Sequence, residues 1–190
     1  MNRPATLLVL LLAGLLAGCG GGSRPTGIRA AETPADDVAE YQPRWRSHTV
    51  DSTQYRKVFL AGTIDMGRSS DWQAALVAHF RDSIGGRWLF FNPRRREFHA
   101  SPAEMEYQVA WELAHLEAAD LIVMSLLGDS RSPISLLEMG LYARSGKLFV
   151  ACSPDYYRYD NVRITCRRYG VPLYDSLTAL LDDLPQQSDE

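Results

Sequence analysis

Five short apolar runs set the terms on which this chain can fold: Lys57–Ala61, Trp88–Phe91, Leu121–Ser125, Lys147–Ala151 and Val171–Leu173. They are of strand length and do not alternate apolar with polar positions. A strand that is apolar on both faces needs cover on both, and parallel sheets obtain it from the helices that cross between strands. Segments of helical spacing lie between the runs, at Asp71–Arg81, Glu104–Ala118, Ile134–Arg144, Asn161–Tyr169 and Ser176–Leu184.

This order predicts an α/β three-layer sandwich, flavodoxin-like or Rossmann-like, around a five-stranded parallel sheet between about Lys57 and Leu184. Open sheets of this kind bind ligands beyond the carboxyl ends of their strands. Four stretches fall there: Gly62–Ser70, Asn92–Phe98, Leu126–Ser135 and Ser153–Asn161.

The third of these leads into the stretch richest in chemistry. Ser132-Pro133 reads as a helix start, with a hydroxyl at the N-cap and a proline where a missing N–H costs nothing. Ser132 and Ser135 then flank a helix N-terminus, which favours anions such as phosphate. From Ile134 to Ala143 the helix is almost wholly apolar, and Glu138 is its only charge. Such a carboxylate either looks out to solvent or is paired or used, because burying it alone is expensive.

On the helix Glu104–Ala118, Met105, Val109, Leu113 and Leu116 form an apolar stripe expected to face the core. Gln108, Glu112 and His115 form a second stripe beside it, which puts Glu112 at the core's border. It is either a half-exposed helix carboxylate or the partner of Glu138. Two carboxylates on elements flanking one strand suit glycosyl transfer, in which one attacks the anomeric carbon and the other handles the leaving group's proton.

Composition narrows the field. The chain has 190 residues and a formal net charge of −3, and Arg94-Arg95-Arg96 is too short to make a nucleic-acid surface. The loop G-T-I-D-M-G-R at 62–68 lacks the glycines of a dinucleotide fingerprint; no P-loop, zinc-protease or nucleophile-elbow motif is present, and the 4 histidines are scattered. These motifs imply no cofactor and no metal. Cys152 and Cys166 are left either as a disulfide or as two small buried residues.

The N-terminus has its own pattern: Arg3, the apolar run Leu7–Leu16, then Leu16-Ala17-Gly18-Cys19. The run is too short to span a bilayer and reads as an export signal over residues 1–18. L-A-G-C resembles the bacterial lipobox, which implies lipidation at Cys19 and an anchor in the cell envelope; Gly20 in place of Asp points to the outer membrane, facing the periplasm. Residues 19–54 are rich in Gly, Pro, Ala, Thr and charge and read as a disordered tether, with the folded domain over 55–184 and a tail over 185–190.

Read together, F-L-A-G-T-I-D, D-W, F-N-P-R-R, Q-V-A-W-E-L-A-H-L-E-A-A-D, S-P-I-S-L-L-E-M-G and Y-Y-R-Y-D-N-V resemble, in order, the nucleoside 2-deoxyribosyltransferase-like family. The resemblance implies a flavodoxin-like fold, a small nucleoside or nucleotide as partner, and Glu138 as the nucleophile that attacks the sugar. It places Glu112 where relatives carry an assisting Asp. Ser132 stands where transferases have a sugar-binding Asp, as in related deoxynucleoside-monophosphate hydrolases whose Ser meets phosphate. Gly62, Thr63 and Asp65 would line the sugar or base pocket, and Asn92, Gln108 and Ser135 complete the candidate contacts. Asn161 is the nearest match to a late Asn that some relatives take from a neighbouring subunit, which leaves a homo-oligomer open. The implied function is cleavage or transfer at an N-glycosidic bond, and its rival is a nucleotide-binding lipoprotein without turnover.

Overall fold

The computed structural model describes residues 38–84, 86–97 and 99–187; Cys19, the leader and the first part of the tether lie outside them. Seven strands form one sheet, not five: β1 (Val38–Gln42), β2 (Trp45–Arg46), β3 (Arg56–Gly62), β4 (Trp88–Phe91), β5 (Leu121–Leu126), β6 (Leu148–Cys152) and β7 (Leu173–Tyr174), in the order β2-β1-β4-β3-β5-β6-β7. All neighbours are parallel except the β1–β2 hairpin. The expected first and third runs pair directly, with Val58 opposite Leu121 and Gly62 opposite Ser125.

The two additional strands come from residues read as tether. Val38, Ala39 and Tyr41 of β1 are buried, and β1 runs parallel to β4 with Val38 opposite Trp88. A five-residue strand containing Glu and Gln carries too little apolar signal to be seen in a Pro- and Ala-rich segment; its burial comes from the flank of β4.

Five α-helices cover the sheet: α1 (Trp72–His79), α2 (Pro102–Ala118), α3 (Pro133–Tyr142), α4 (Tyr159–Tyr169) and α5 (Leu177–Gln187). The first passes into a π-helical turn over Phe80–Ile84, and the last runs beyond the expected end at Leu184. One core layer gathers Trp72, Leu76 and Phe80 with Leu180 and Leu184, so α1 and α5 share a face. The other gathers Leu116, Met139, Tyr142, Val162 and Cys166, which places α2, α3 and α4 side by side on the opposite face. None of the helices among the described residues is long and apolar enough to cross a membrane.

On α2 the expected orientation is reversed. Met105, Val109 and Leu113 are exposed, and of that stripe Leu116 alone is buried. The inner face is taken by aromatic surface: Trp111 packs against Phe59, His115 meets Phe91 edge-on at 4.5 Å, and the Trp111 and His115 rings stack at 4.0 Å. Flat rings bury more area per residue than the aliphatic stripe and so win the sheet-facing side. Cys152 and Cys166 are buried free thiols.

Candidate active site

The strand order reverses between β3 and β5: β4 lies on one side of β3, and β6 lies beyond β5. Crevices at such reversals are where open α/β sheets hold ligands. Gly62 makes the turn out of β3 possible. It sits at φ +128, and a Cβ there would lie 2.1 Å from the Ser125 carbonyl oxygen, so the two strand ends touch where any side chain would separate them.

Thr63 follows and is fully buried. Its carbonyl accepts hydrogen bonds from Trp72 Nε1 (2.8 Å) and Gln73 Nε2 (3.4 Å), and its Oγ1 accepts from Leu127 N (3.1 Å). The same hydroxyl lies 2.8 Å from Ser132 Oγ, which in turn lies 2.6 Å from Ser130 Oγ; Ser130 donates to Asp65 Oδ1 at 3.2 Å. Four oxygen-bearing side chains from two loops thus form one chain beneath the start of α3. Ser130, buried between Asp65 and Ser132, was not singled out from sequence, although its place two residues before Ser132 in D-S-R-S was its only signal.

Ser132 stands at the expected N-cap position but does not cap with its side chain. Its backbone is left-handed (φ 39, ψ 55), its carbonyl accepts from Leu136 N (3.2 Å), and its hydroxyl is turned toward Thr63 and Ser130 instead. Asp65 and Met66 also hold positive φ, at 48 and 56. Left-handed non-glycine residues each cost on the order of 1–3 kcal/mol and collect where surroundings dictate the geometry. A further anchor, missed as a site residue, is Arg94: nearly buried, it donates to Gln73 Oε1, Ser69 Oγ and the Ser70 carbonyl, and ties the loop after β3 to the loop after β4.

Glu138 lies six residues past Ser132, ~9 Å further along the helix axis. It is 8% exposed, which rules out the solvent-facing reading. Burial, and then the charge of Glu112, pushes its carboxyl up to about 8, with no hydrogen bond or cation among the described residues offsetting them. Burial also raises Glu112, partly opposed by the hydrogen bond from Gln108 Nε2 to Glu112 Oε1 (2.8 Å). Gln108 Nε2 donates as well to the Pro93 carbonyl (3.1 Å), while its Oε1 is buried without a partner in the described structure. Lys147 Nζ fixes the end of α2 by donating to the carbonyls of Leu116, Glu117 and Ala119, and Tyr142 OH joins α3 to α2 through Glu117 Oε1 at 2.9 Å.

Other expected contacts stand elsewhere. Asn92 is buried and both ends of its amide are engaged within the protein: Nδ2 donates to Glu40 Oε1 (2.7 Å), and Oδ1 accepts from Arg94 N (3.0 Å). Ser135 is buried on α3, on the side that carries Glu138 and Tyr142. Asn161 is exposed on α4, in a groove of about 280 Å³ shared with Leu136, Gly140 and Arg158. Gly140 and Leu136 lie roughly 160–200° around α3 from Glu138, so within one chain Asn161 is on the far side of that helix.

A family model described as nucleoside 2-deoxyribosyltransferase like matches residues 55–156. The chain belongs to the nucleoside 2-deoxyribosyltransferase-like family. That match takes in β3 through β6 with Glu112, Ser132 and Glu138, and leaves out the β1–β2 hairpin and Asn161. No curated protein matches the chain.

Proposed function

We propose that the protein cleaves or transfers at the N-glycosidic bond of a deoxynucleoside or nucleoside monophosphate, with Glu138 as nucleophile. Family membership supports glycosyl transfer on nucleosides as the reaction class. The observation that carries the residue assignment is a buried carboxyl, facing the repulsion of a second carboxyl and no hydrogen-bond partner among the described residues, on the helix that follows β5, one of the two strands between which the order reverses.

Near neutrality the two carboxyls hold one proton between them, as close like charges do. With an anomeric carbon over Glu138, the positive charge developing on the sugar draws the ionised form to Glu138 and the proton to Glu112. The Glu138 oxygen then bonds to the anomeric carbon while the C–N bond breaks, and the base leaves with that electron pair and the Glu112 proton. Water, or a second base, attacks the glycosyl ester, gives its proton to Glu112 and restores the Glu138 carboxylate. The uncapped N-terminus of α3 with its row of hydroxyls supports a phosphate beside the sugar.

The rival reading, a nucleotide sensor without turnover, is favoured by one observation: a carboxyl raised to about 8 is mostly neutral at rest, which makes it a hydrogen-bond donor as well as a latent nucleophile. Incubation with a panel of deoxynucleosides and their monophosphates, with and without a free acceptor base, separates these readings. Free base without acceptor marks a hydrolase, and base exchange without net release marks a transferase. Binding by calorimetry without either product favours the sensor. Glu138→Gln releasing base as fast as the wild type would overturn the assignment of Glu138.

The location proposed is the cell envelope, through lipidation of Cys19 and an outer-membrane anchor, on the strength of Arg3, the apolar run at 7–16 and L-A-G-C. Cys19→Ala should then leave an unlipidated precursor in a bacterial host. A wild-type chain that stays unprocessed in the soluble fraction would refute it.

A further inference from the structure

A cavity of about 450 Å³ opens beyond the carboxyl ends of β1 and β4, where the β1–β2 hairpin meets the start of α2. Its walls are Gln42, Arg44 and Trp45 of the hairpin, Arg95 and Arg96 of the loop after β4, and Glu104 in the first turn of α2. Pockets for small molecules begin at roughly 300 Å³, so the space suits a ligand of mononucleotide size. It is distinct from the crevice of the carboxyl pair. Glu104 precedes Glu112 by eight residues, ~12 Å along α2. Gln108 stands between them, donating to the Pro93 carbonyl and to Glu112. The hairpin wall also lies outside the residues that match the family model.

The hairpin places a cation on this wall. Its two-residue loop is Pro43-Arg44, and Arg44 holds φ 62, a conformation that Gly or Asn adopts at little cost and arginine does not. The side chain accounts for the choice. Its guanidinium lies over the Tyr107 ring at 4.0 Å and donates to both carboxylate oxygens of Glu104, at 2.8 and 3.3 Å. Arg95 donates to the same carboxylate, and the two arginines hold Glu104 below its ordinary pKa, so it stays ionised and offsets one of them. Arg96 is exposed, with its guanidinium over the Trp45 indole at 3.9 Å, and no carboxylate among the described residues pairs with it. Three guanidiniums thus face the carboxylates of Glu97 and Glu104, a local positive surplus in a chain of formal net charge −3. Gln42 adds an acceptor. Its Nε2 donates to Glu40 Oε1 (3.1 Å), an oxygen marked as an acceptor by the second hydrogen bond it takes from Asn92 Nδ2 (2.7 Å). The amide is therefore fixed, and Gln42 Oε1 is buried without a partner among the described residues. An acceptor left so is a cost that a ligand's donor removes.

We infer that this cavity is a second ligand site, for a nucleoside monophosphate whose base carries an amino group, separate from the substrate of the carboxyl crevice. Each part of such a ligand meets a wall of matching chemistry. The flat base stacks on the surface made by Trp45 and Arg96, since bases stack on indole rings and on guanidinium planes alike. The phosphate meets the N–H groups of Arg44 that Glu104 leaves over, beside the positive charge of Arg96. An amino group on the base is the donor that Gln42 Oε1 lacks. A neutral aromatic ligand would leave the surplus charge unmatched, and a bare anion would leave the indole unused. The site goes beyond the reading of Glu138 as nucleophile and does not depend on it.

The test is calorimetry of the full-length protein with AMP, for the wild type, Arg96→Gln, Trp45→Leu, Ser132→Ala and Glu138→Gln, with inorganic phosphate as a second probe. The wild type should bind one AMP per chain here, in addition to any held in the carboxyl crevice. Arg96→Gln and Trp45→Leu should each weaken that binding by at least ~10-fold, the effect of losing a charge-assisted or stacking contact. Ser132→Ala and Glu138→Gln, which alter the crevice, should leave it within about 2-fold, as distant sites do, so this inference and the assignment of Glu138 fail separately. Circular dichroism checks the fold, and the exposed Arg96 carries the test even where Trp45→Leu disturbs the hairpin. A wild type that binds no AMP overturns the inference, as does binding unchanged in Arg96→Gln or binding lost in Ser132→Ala. Inorganic phosphate held as tightly as AMP overturns it too, because the indole would then have no part.

Discussion

Glu112 and Glu138 oppose one another across the seam between two parallel helices, and the charge on Glu112 is one of the two causes that hold Glu138 protonated up to about 8. The other and larger cause is burial. A pair of this kind works with one proton, which makes its activity a function of pH in a definite direction.

Base release should follow a bell-shaped pH profile. Below the first ionisation of the pair no carboxylate is available to attack; above about 8 Glu138 and Glu112 are both ionised, and the departing base finds no proton. In Glu112→Gln the proton donor and the like charge are both gone, so the alkaline limb should disappear, leaving a rate that rises as Glu138 ionises, and kcat should fall by ~10²–10⁴-fold, the usual worth of proton transfer. A wild-type rate still climbing beyond about pH 9 would contradict the paired mechanism.

Glu138→Gln should lower kcat by at least ~10³-fold, as loss of a covalent nucleophile does, while raising stability. The folded chain keeps a proton on Glu138 that the unfolded chain, at the ordinary carboxylate value of 4.5, has lost. Between 4.5 and about 8 the wild type therefore loses roughly 1.4 kcal/mol of stability per pH unit from this group, and the glutamine does not. Denaturant melts at several pH values should show the variant's advantage growing from about pH 5 to pH 7. Parallel curves for the two proteins would mean that Glu138 is not held neutral by the fold.

Ser132→Ala removes the middle hydroxyl of the chain from Thr63 to Ser130. If that hydroxyl meets a phosphate, KM for a deoxynucleoside monophosphate should rise by about 10-fold, the cost of one hydrogen bond to a charged group, with a much smaller change for the nucleoside. Equal effects on both substrates would assign Ser132 to loop geometry alone.

Gly62→Ala should be among the most damaging small changes in the chain. Its Cβ would enter the Ser125 carbonyl at 2.1 Å from a backbone already at φ +128, and parting β3 from β5 should cost several kcal/mol. Gly67→Ala provides the comparison: its φ is +78 but nothing lies within 4 Å, so about 1 kcal/mol of backbone strain is expected. Thermal melts that rank these two the other way would show that β3 and β5 tolerate separation.

Much of this arrangement is local and could be read from residue order. A run such as Leu121–Leu126 has one stable setting, a strand covered on both faces, and Ser132-Pro133 marks a helix start whatever surrounds it. Glu138 stood out because a single charge in an apolar helix is a local anomaly. The misreadings have a common origin. Val38–Gln42 became a strand because β4 had an open flank, and the apolar stripe of α2 turned outward because Trp111 and His115 competed for the same sheet surface. Neither outcome is encoded within the segment itself.

Sequence by itself determined the five apolar strands, the helices between them, their parallel setting and the isolation of Glu138, since each follows from burial rules acting over a few residues. Tertiary structure alone decided that Ser132 turns from its own helix toward Thr63, that Asn92 is consumed by Glu40 and Arg94, and that Asn161 lies around α3 from the carboxyl pair. Hydrogen bonds and charges act between whatever groups the fold brings within a few ångströms, and residues 69 positions apart, as Thr63 and Ser132 are, carry no local sign that they will meet.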